Sequence, residues 1–209
     1  IVFGDWSSDV CSSDLGMPTS HKKFGEALAL LAGDALLNHA FETIANASAP
    51  AEVIMEALKI ISNSGGICGM IGGQVVDMKG ADTYDELVTL YKMKTGAIIT
   101  AAGRIGVLAS GVNDDETISA VSAYTDNLGI AFQIKDDLLD VEGDERIIGK
   151  KTGHDEETGK RTFVSSLGID GARLALEEYT QASKAALEPF GNKAEFLMSL
   201  ADYLLQRKN

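Results

Sequence analysis

The segment FQIKDDLLD, residues 132–140, places three aspartates in an otherwise apolar helical pattern. Because an α-helix advances about 100° per residue, Asp136 and Asp140 lie about 40° apart, and Gln133 lies about 60° from Asp136. Carboxylates near the C-terminal end of a helix oppose its dipole and repel one another, at about 0.3–1 kcal/mol each. A hard divalent cation removes that penalty, and Mg²⁺ typically takes one or two carboxylates while bridging to a substrate phosphate. The segment therefore predicts a Mg²⁺ site, and the alternative interpretation is a solvated acidic helix face.

Helical patterns extend from this segment in both directions. Only three of the 209 residues are proline, and apolar residues make up 45% of the chain, enough for a buried core. Apolar spacing predicts helices over 24–46, 51–61, 71–78, 97–110, 116–141, 170–187 and 193–207, and a further helix that Asp82 and Thr83 cap and that ends at Tyr91. Four glycines make 142–162 a loop. Because no β alternation is present, we predict an all-α protein with one domain over 16–209.

The first fifteen residues, IVFGDWSSDVCSSDL, have a different character. They carry three Asp, four Ser and the chain's only Trp, with no helical periodicity. We predict that residues 1–15 are a non-native segment, because they resemble a translated adapter sequence, and we leave them out of the fold. The alternative is a natural disordered N-terminus.

The charge balance excludes several classes of partner. Eighteen Lys and Arg against 31 Asp and Glu give a net charge of −13, which argues against nucleic acid and anionic membranes as partners. The most apolar run, 97–112, contains Arg104 and is too short to cross a membrane, so no stable membrane insertion is expected. Two cysteines cannot form a disulfide framework or a zinc site, and no secretory signal pattern is present. The expected compartment is the cytoplasm.

Two other features could bind phosphate, and a third could contribute to a site. Lys150 and Lys160 each follow a glycine in the loop after the acidic helix, with Asp155 between them, and this loop could cover a metal-bound diphosphate. Lys94 and Thr95 fall where one predicted helix ends and the next begins, which would present an ammonium, a hydroxyl and backbone N–H groups together, although a plain helix cap has the same pattern. In the motif GGQVVD, residues 72–77, the glycines would admit a neighbouring helix closely, so Gln74 and Asp77 could belong to a site or to packing alone.

These motifs together resemble the trans-isoprenyl diphosphate synthase family, and its bacterial farnesyl diphosphate synthase group in particular. The resemblance covers 16–209. It rests on GDALL (33–37), GQ (73–74) with Asp77, KTG (94–96), FQIKDDLLD (132–140), GK (149–150) and GK (159–160). The resemblance implies a single bundle of long helices around a central cavity, in a homodimer. It also implies Mg²⁺-dependent, head-to-tail condensation of isopentenyl diphosphate with an allylic diphosphate, giving farnesyl diphosphate.

Roles for particular residues follow from the same resemblance. Asp136 is expected to hold Mg²⁺, with Asp137 and Asp140 completing the acidic cluster directly or through water. Asp77 and Asp155 are expected to support the metal network. The residues expected to bind the allylic diphosphate or close over it are Lys94, Thr95, Gln133, Lys150 and Lys160.

One departure from the family pattern lies before Gly16. The family carries a first Asp-rich motif and an Arg-Arg-Gly-x-Pro segment there, but Asp14 and Leu15 stand where the two arginines belong. We therefore expect a bundle without its N-terminal helices, little condensation activity from the 209-residue chain, and low solubility from uncovered apolar faces. Two alternatives for the function are a terpene cyclase-like enzyme and an inactive regulatory subunit of a prenyl synthase.

Overall fold

In a computed structural model, residues 13–14, 17–112, 114–142 and 160–207 are described, and they are almost entirely helical. The predicted all-α class is confirmed. The α-helices of the described residues are α1 (Ser20–Phe24), α2 (Glu26–Ala45), α3 (Ala51–Gly65), α4 (Met70–Lys79), α5 (Tyr84–Tyr91), α6 (Ala97–Ala109), α7 (Asp115–Glu142), α8 (Phe163–Ala185) and α9 (Glu195–Gln206). A π-helical turn, Lys92–Gly96, joins α5 to α6, and a 3₁₀ helix, Glu188–Ala194, precedes α9. Two short strands, β1 (Ser13–Asp14) and β2 (Met17–Pro18), pair antiparallel.

The ends of several predicted helices differ from the expectation. The predicted helix 24–46 is interrupted at Gly25, whose φ of 86° is in the left-handed region that favours glycine. α8 begins at Phe163, seven residues before its predicted start, and Gly168 with φ 72° breaks its first turns. The sequence predicts α5 and α6 as separate helices, but the π-helical turn makes them continuous.

Side-chain caps explain two of the helix starts. The Thr83 hydroxyl accepts a hydrogen bond from the backbone N–H of Glu86 at 3.2 Å, which confirms the predicted cap of α5. At α8, Thr162 accepts from Ser165 N at 3.0 Å, and the Ser165 hydroxyl accepts from Thr162 N at 2.8 Å. Because this reciprocal capping box satisfies two N–H groups, the helix can begin directly after the 142–162 segment.

α7 is the central helix of the core and packs against α6, α8 and the π-helical turn. At its C-terminal half, Ile134 and Leu138 pack with Leu87, Tyr91 and Phe163 in one buried cluster. The Phe163 ring stacks on Tyr91 at 5.6 Å, and it meets Tyr84 and Tyr179 edge to face. This aromatic cluster fixes the start of α8 against the acidic segment of α7.

A second cluster holds the N-terminal half of α7 against the end of the chain. Tyr124 and Leu128 pack there with Leu187, Ala194 and Ala201. The Tyr124 hydroxyl donates to the carbonyl oxygen of Leu197 at 2.8 Å, and burial raises the pKa of Tyr124 to about 12. These contacts place α9 alongside α7, with Arg207 directly after it.

The outer helices are much more open. No residue of α2 is buried, and its Leu28 and Leu31 are 61% and 60% exposed. Cys68 is exposed, with its thiol free. None of the described helices combines the length and the apolar character that crossing a membrane requires.

Candidate functional site

The π-helical turn carries Lys94 and Thr95 and is enclosed by two glycines from other helices. A Cβ atom on Gly73 of α4 would lie 2.4 Å from the backbone nitrogen of Lys94, and one on Gly129 of α7 would lie 2.7 Å from Cα of Gly96. The backbones of α4 and α7 therefore approach this turn more closely than any side chain permits. The close helix packing predicted at Gly73 is confirmed.

The predicted helix boundary at Lys94 is wrong. Residues 92–96 stay hydrogen-bonded as a π-helical turn, and Gly96 and Ala97 have right-handed helical φ and ψ. No helix N-terminus is present there to offer free N–H groups. The wider turn instead turns the Lys94 and Thr95 side chains toward other elements, and π-helical turns inside α-helices are frequent at functional sites.

Lys94 and Lys160 meet at one carboxylate. Lys94 Nζ donates to Asp77 Oδ2 at 2.7 Å, and Lys160 Nζ lies 3.5 Å from the same oxygen. The side chains of Asp77, Lys94 and Lys160 are 14%, 25% and 27% exposed, so the group is partly shielded from water. Three residues that lie far apart in sequence, each a predicted functional residue, are thus in contact.

Thr95 extends this group to the acidic helix. Its hydroxyl donates to Gln133 Oε1 at 2.6 Å, across from the π-helical turn to α7. Gln133 lies about one helical turn before Asp136, on the same face of α7. The structure therefore brings Lys94, Lys160 and the predicted Asp-rich face to one side of the bundle.

Asp136 is the accessible carboxylate of the acidic segment. Its side chain is 39% exposed, and Arg207 donates to its Oδ1. The Arg207 guanidinium also donates to the carbonyl oxygen of Phe132 at 3.0 Å and lies 3.9 Å from the centre of the Phe132 ring. Burial lowers the pKa of the neighbouring Lys135, and the positive charge of Arg207 adds to that effect. The guanidinium of Arg207 is thus a cationic partner of Asp136.

Asp137 faces the opposite way, into the core. Both of its oxygens accept from the Tyr91 hydroxyl, at 2.9 and 2.8 Å, and Oδ2 also accepts from the backbone N–H of Phe163 at 2.8 Å. The residue is 5% exposed. These contacts give Asp137 a structural role at the start of α8, and its predicted part in the metal cluster stays a prediction.

Three further predicted site residues are Asp140, Lys150 and Asp155. Asp140 lies one turn after Asp136 and is 4% exposed. Lys150 and Asp155 lie outside the described residues, so Lys160 is the one predicted functional residue of the covering loop that the structure describes.

The side chains of this region suit Mg²⁺ better than a metal ion that must be bound by protein ligands alone. Within 17–112, 114–142 and 160–207, no three acidic, histidine or cysteine side chains are grouped closely enough to hold a metal ion by themselves. Mg²⁺ usually keeps several waters and takes one or two carboxylates together with substrate phosphates. Asp136 provides one accessible carboxylate, and Lys94 and Lys160 provide ammonium groups for a phosphate.

Sequence reasoning misses two residues of this region. Tyr91 precedes the π-helical turn, and nothing in its local sequence indicates that it binds Asp137, 46 residues away. The sequence pattern marks Arg207 only as the end of an amphipathic helix, and no local signal pairs it with Asp136, 71 residues away.

Comparisons with known proteins agree on one family. A sequence profile described as polyprenyl synthetase matches residues 15–193. The farnesyl diphosphate synthase of Escherichia coli is 37% identical over 201 residues, covering 92% of this chain and 67% of that protein. The dimethylallyltranstransferase of Fischerella ambigua is 40% identical over 198 residues, covering 92% and 57%. Among solved structures, the Helicobacter pylori geranyltransferase complexed with magnesium and isoprenyl diphosphate has a TM-score of 0.80 and 33% identity, covering 93% of this chain and 64% of that one. The chain thus spans about two thirds of the length of such relatives.

Proposed function

The chain belongs to the polyprenyl synthetase family, and we propose that its bundle serves the Mg²⁺-dependent condensation of isopentenyl diphosphate with an allylic diphosphate, giving farnesyl diphosphate. Its relatives are prenyltransferases, which supports this class of reaction. Their names give no support to a terpene cyclase or to an inactive regulatory subunit.

One observation carries the proposal: Lys94 and Lys160 converge on Asp77 beside the accessible face of α7. Two partly shielded ammonium groups form a place for a polyanion in a chain whose net charge is −13. The two lysines attract a small anion that contacts only this point, whereas the acidic surface around them repels a large polyanion. The hydroxyl of Thr95 and the amide of Gln133 continue the polar lining toward Asp136.

The proposed chemistry assigns a task to each side chain. Lys94 and Lys160 donate to phosphate oxygens as point charges and neutralise the diphosphate as the allylic C–O bond breaks. Asp136 presents its carboxylate to the cation, while Asp140 adds negative charge one turn further along α7. Mg²⁺, when bound, would shield the diphosphate and stabilise its departure. The allylic carbon then bonds to the terminal carbon of isopentenyl diphosphate, and the product loses a proton to the released diphosphate.

Binding of inorganic diphosphate tests this assignment directly. We expect calorimetric titration to show binding that depends on Mg²⁺, and removal of the metal with EDTA to abolish it. Lys94→Met should weaken binding about 10-fold or more because it removes a positive charge that faces the diphosphate, and Asp136→Asn should do the same because it removes the carboxylate that faces the cation.

Lys59→Met is the matched control. Lys59 pairs with Glu56 on the surface of α3 and is 67% exposed, so its loss should leave diphosphate binding unchanged. Equal losses in Lys59→Met and Lys94→Met would mean that diphosphate binds by general charge and not at this site. Failure of the unaltered chain to bind diphosphate with Mg²⁺ would contradict the proposed function itself.

We also propose that the protein forms a homodimer and that its compartment is the cytoplasm. The uncovered leucines of α2 support an interface, because exposed apolar surface of this kind marks interaction sites. The exposed thiol of Cys68 suits a reducing compartment. Sedimentation equilibrium at several concentrations should give twice the monomer mass, and a monomer at all concentrations would overturn the dimer.

A further inference from the structure

We infer that Asp77 is a positioning residue that holds Lys94 and Lys160 as a pair for diphosphate, and not a ligand of the metal. The inference rests on the proposed function and adds to it a role that the sequence motifs do not supply. Its basis is the shared oxygen, Asp77 Oδ2, which lies 2.7 Å from Lys94 Nζ and 3.5 Å from Lys160 Nζ.

Without a carboxylate between them, the two lysines would separate. Two ammonium groups repel each other, and each lysine side chain has many rotamers that would carry its charge into water. Asp77 cancels this repulsion and restricts both side chains before any ligand arrives. The entropy cost of restricting the two lysine side chains then arises during folding and not on binding. Because the site is preorganised in this way, it binds the diphosphate more tightly.

The hydrogen-bonding capacity of an ammonium group allows it to contact Asp77 and a ligand together. Each ammonium has three N–H donors, so a contact with Asp77 does not exhaust them. Lys94 lies on the π-helical turn and Lys160 comes shortly before α8, so the carboxylate on α4 links three separate parts of the chain. A diphosphate has enough acceptor oxygens to contact both lysines at once.

The direction in which a substitution of Asp77 changes the diphosphate affinity distinguishes a positioning role from a purely electrostatic effect. Asp77→Ala makes the site more positive, so a purely electrostatic effect would tighten diphosphate binding. Loss of positioning acts in the opposite direction and weakens it. A metal ligand at this position would instead reveal itself in binding of a divalent cation without any diphosphate.

The experiment is a double-mutant cycle read by calorimetric titration with inorganic diphosphate. We expect Asp77→Ala to weaken binding about 5-fold to 10-fold, and Asp77→Glu, which restores the carboxylate, to recover most of the loss. In a Lys160→Met background, Asp77→Ala should weaken binding less than it does in the unaltered chain, because only one lysine is left to position. Mn²⁺ binding in the absence of diphosphate should be the same with and without Asp77.

Each other outcome overturns the inference. Unchanged or tighter diphosphate binding by Asp77→Ala would show that no positioning occurs, and a lowered melting temperature with unchanged binding would show a structural role only. Weaker Mn²⁺ binding would make Asp77 a metal ligand. If Asp77→Ala does not fold, Asp77→Asn is used in the same cycle, with weaker binding and the same coupling to the lysines expected. Absence of binding in the unaltered chain would be a failure of the proposed function and is distinguished by that control.

Discussion

Gly73→Ala is expected to destabilise the protein, to push α4 away from the π-helical turn and to abolish diphosphate binding. The added methyl group would lie 2.4 Å from the nitrogen of Lys94, 2.7 Å from its Cα and 2.9 Å from the carbonyl carbon of Met93. All three are backbone atoms, so no side-chain rotation can relieve the clash and α4 must move away from the turn. Overpacking of this kind costs about 1–3 kcal/mol, and movement of α4 would also separate Asp77 from Lys94. Chemical denaturation and diphosphate titration measure the two effects.

Gly106→Ala is the matched control for this substitution. Gly106 lies inside α6, and a Cβ atom there would have no heavy atom within 4 Å. Alanine should therefore stabilise the protein by about 0.5–1 kcal/mol through helix propensity, with diphosphate binding unaltered. Normal binding by Gly73→Ala at unchanged stability would show that the turn does not need the close approach of α4.

Sequence reasoning succeeds where the information is local. The spacing of Gln133, Asp136 and Asp140 within one helix is set by helical geometry, and α7 has the predicted form. The cap at Thr83 likewise depends only on a hydroxyl three residues before Glu86. Both features could be predicted because neighbours within the same element decide them.

Sequence reasoning fails where distant elements decide the structure. The sequence predicts a helix boundary at Lys94 because the glycine at position 96 ordinarily ends a helix. In the folded chain, Gly96 instead lets α7 approach at Gly129, and the helix continues through a π-helical turn. The need for small residues at both positions comes from tertiary contact, which a local pattern does not contain.

Asp136 and Asp137 also show the difference between local information and distant contacts. Helical geometry places Asp137 about 100° from Asp136, so the two carboxylates cannot share one face. The motif nevertheless suggests a single acidic cluster, because no local signal identifies Tyr91 or Phe163 as partners of Asp137. The location of those partners depends on how α5 and α8 pack against α7.

Asp137→Ala is expected to destabilise the protein strongly. It would leave the Tyr91 hydroxyl and the Phe163 N–H without their carboxylate acceptor in a buried cluster. Unsatisfied buried donors cost about 1–3 kcal/mol each, and bonds to a charged acceptor are the stronger kind, so the free energy of unfolding should fall by about 3 kcal/mol or more. Urea denaturation followed by circular dichroism measures this loss.

Two comparisons decide whether that loss reflects the core contacts of Asp137 or a metal site. Glu177→Ala, at an exposed acid on α8, should change the free energy of unfolding by no more than about 0.5 kcal/mol. In a Tyr91→Phe background, which removes the hydroxyl donor, Asp137→Ala should cost less than it does in the unaltered chain. The loss should be the same with and without Mg²⁺, because the contacts of Asp137 lie within the protein. A loss that occurs only when Mg²⁺ is present would instead return Asp137 to the metal cluster that the motif predicts, and its bonds to Tyr91 and Phe163 would then be secondary.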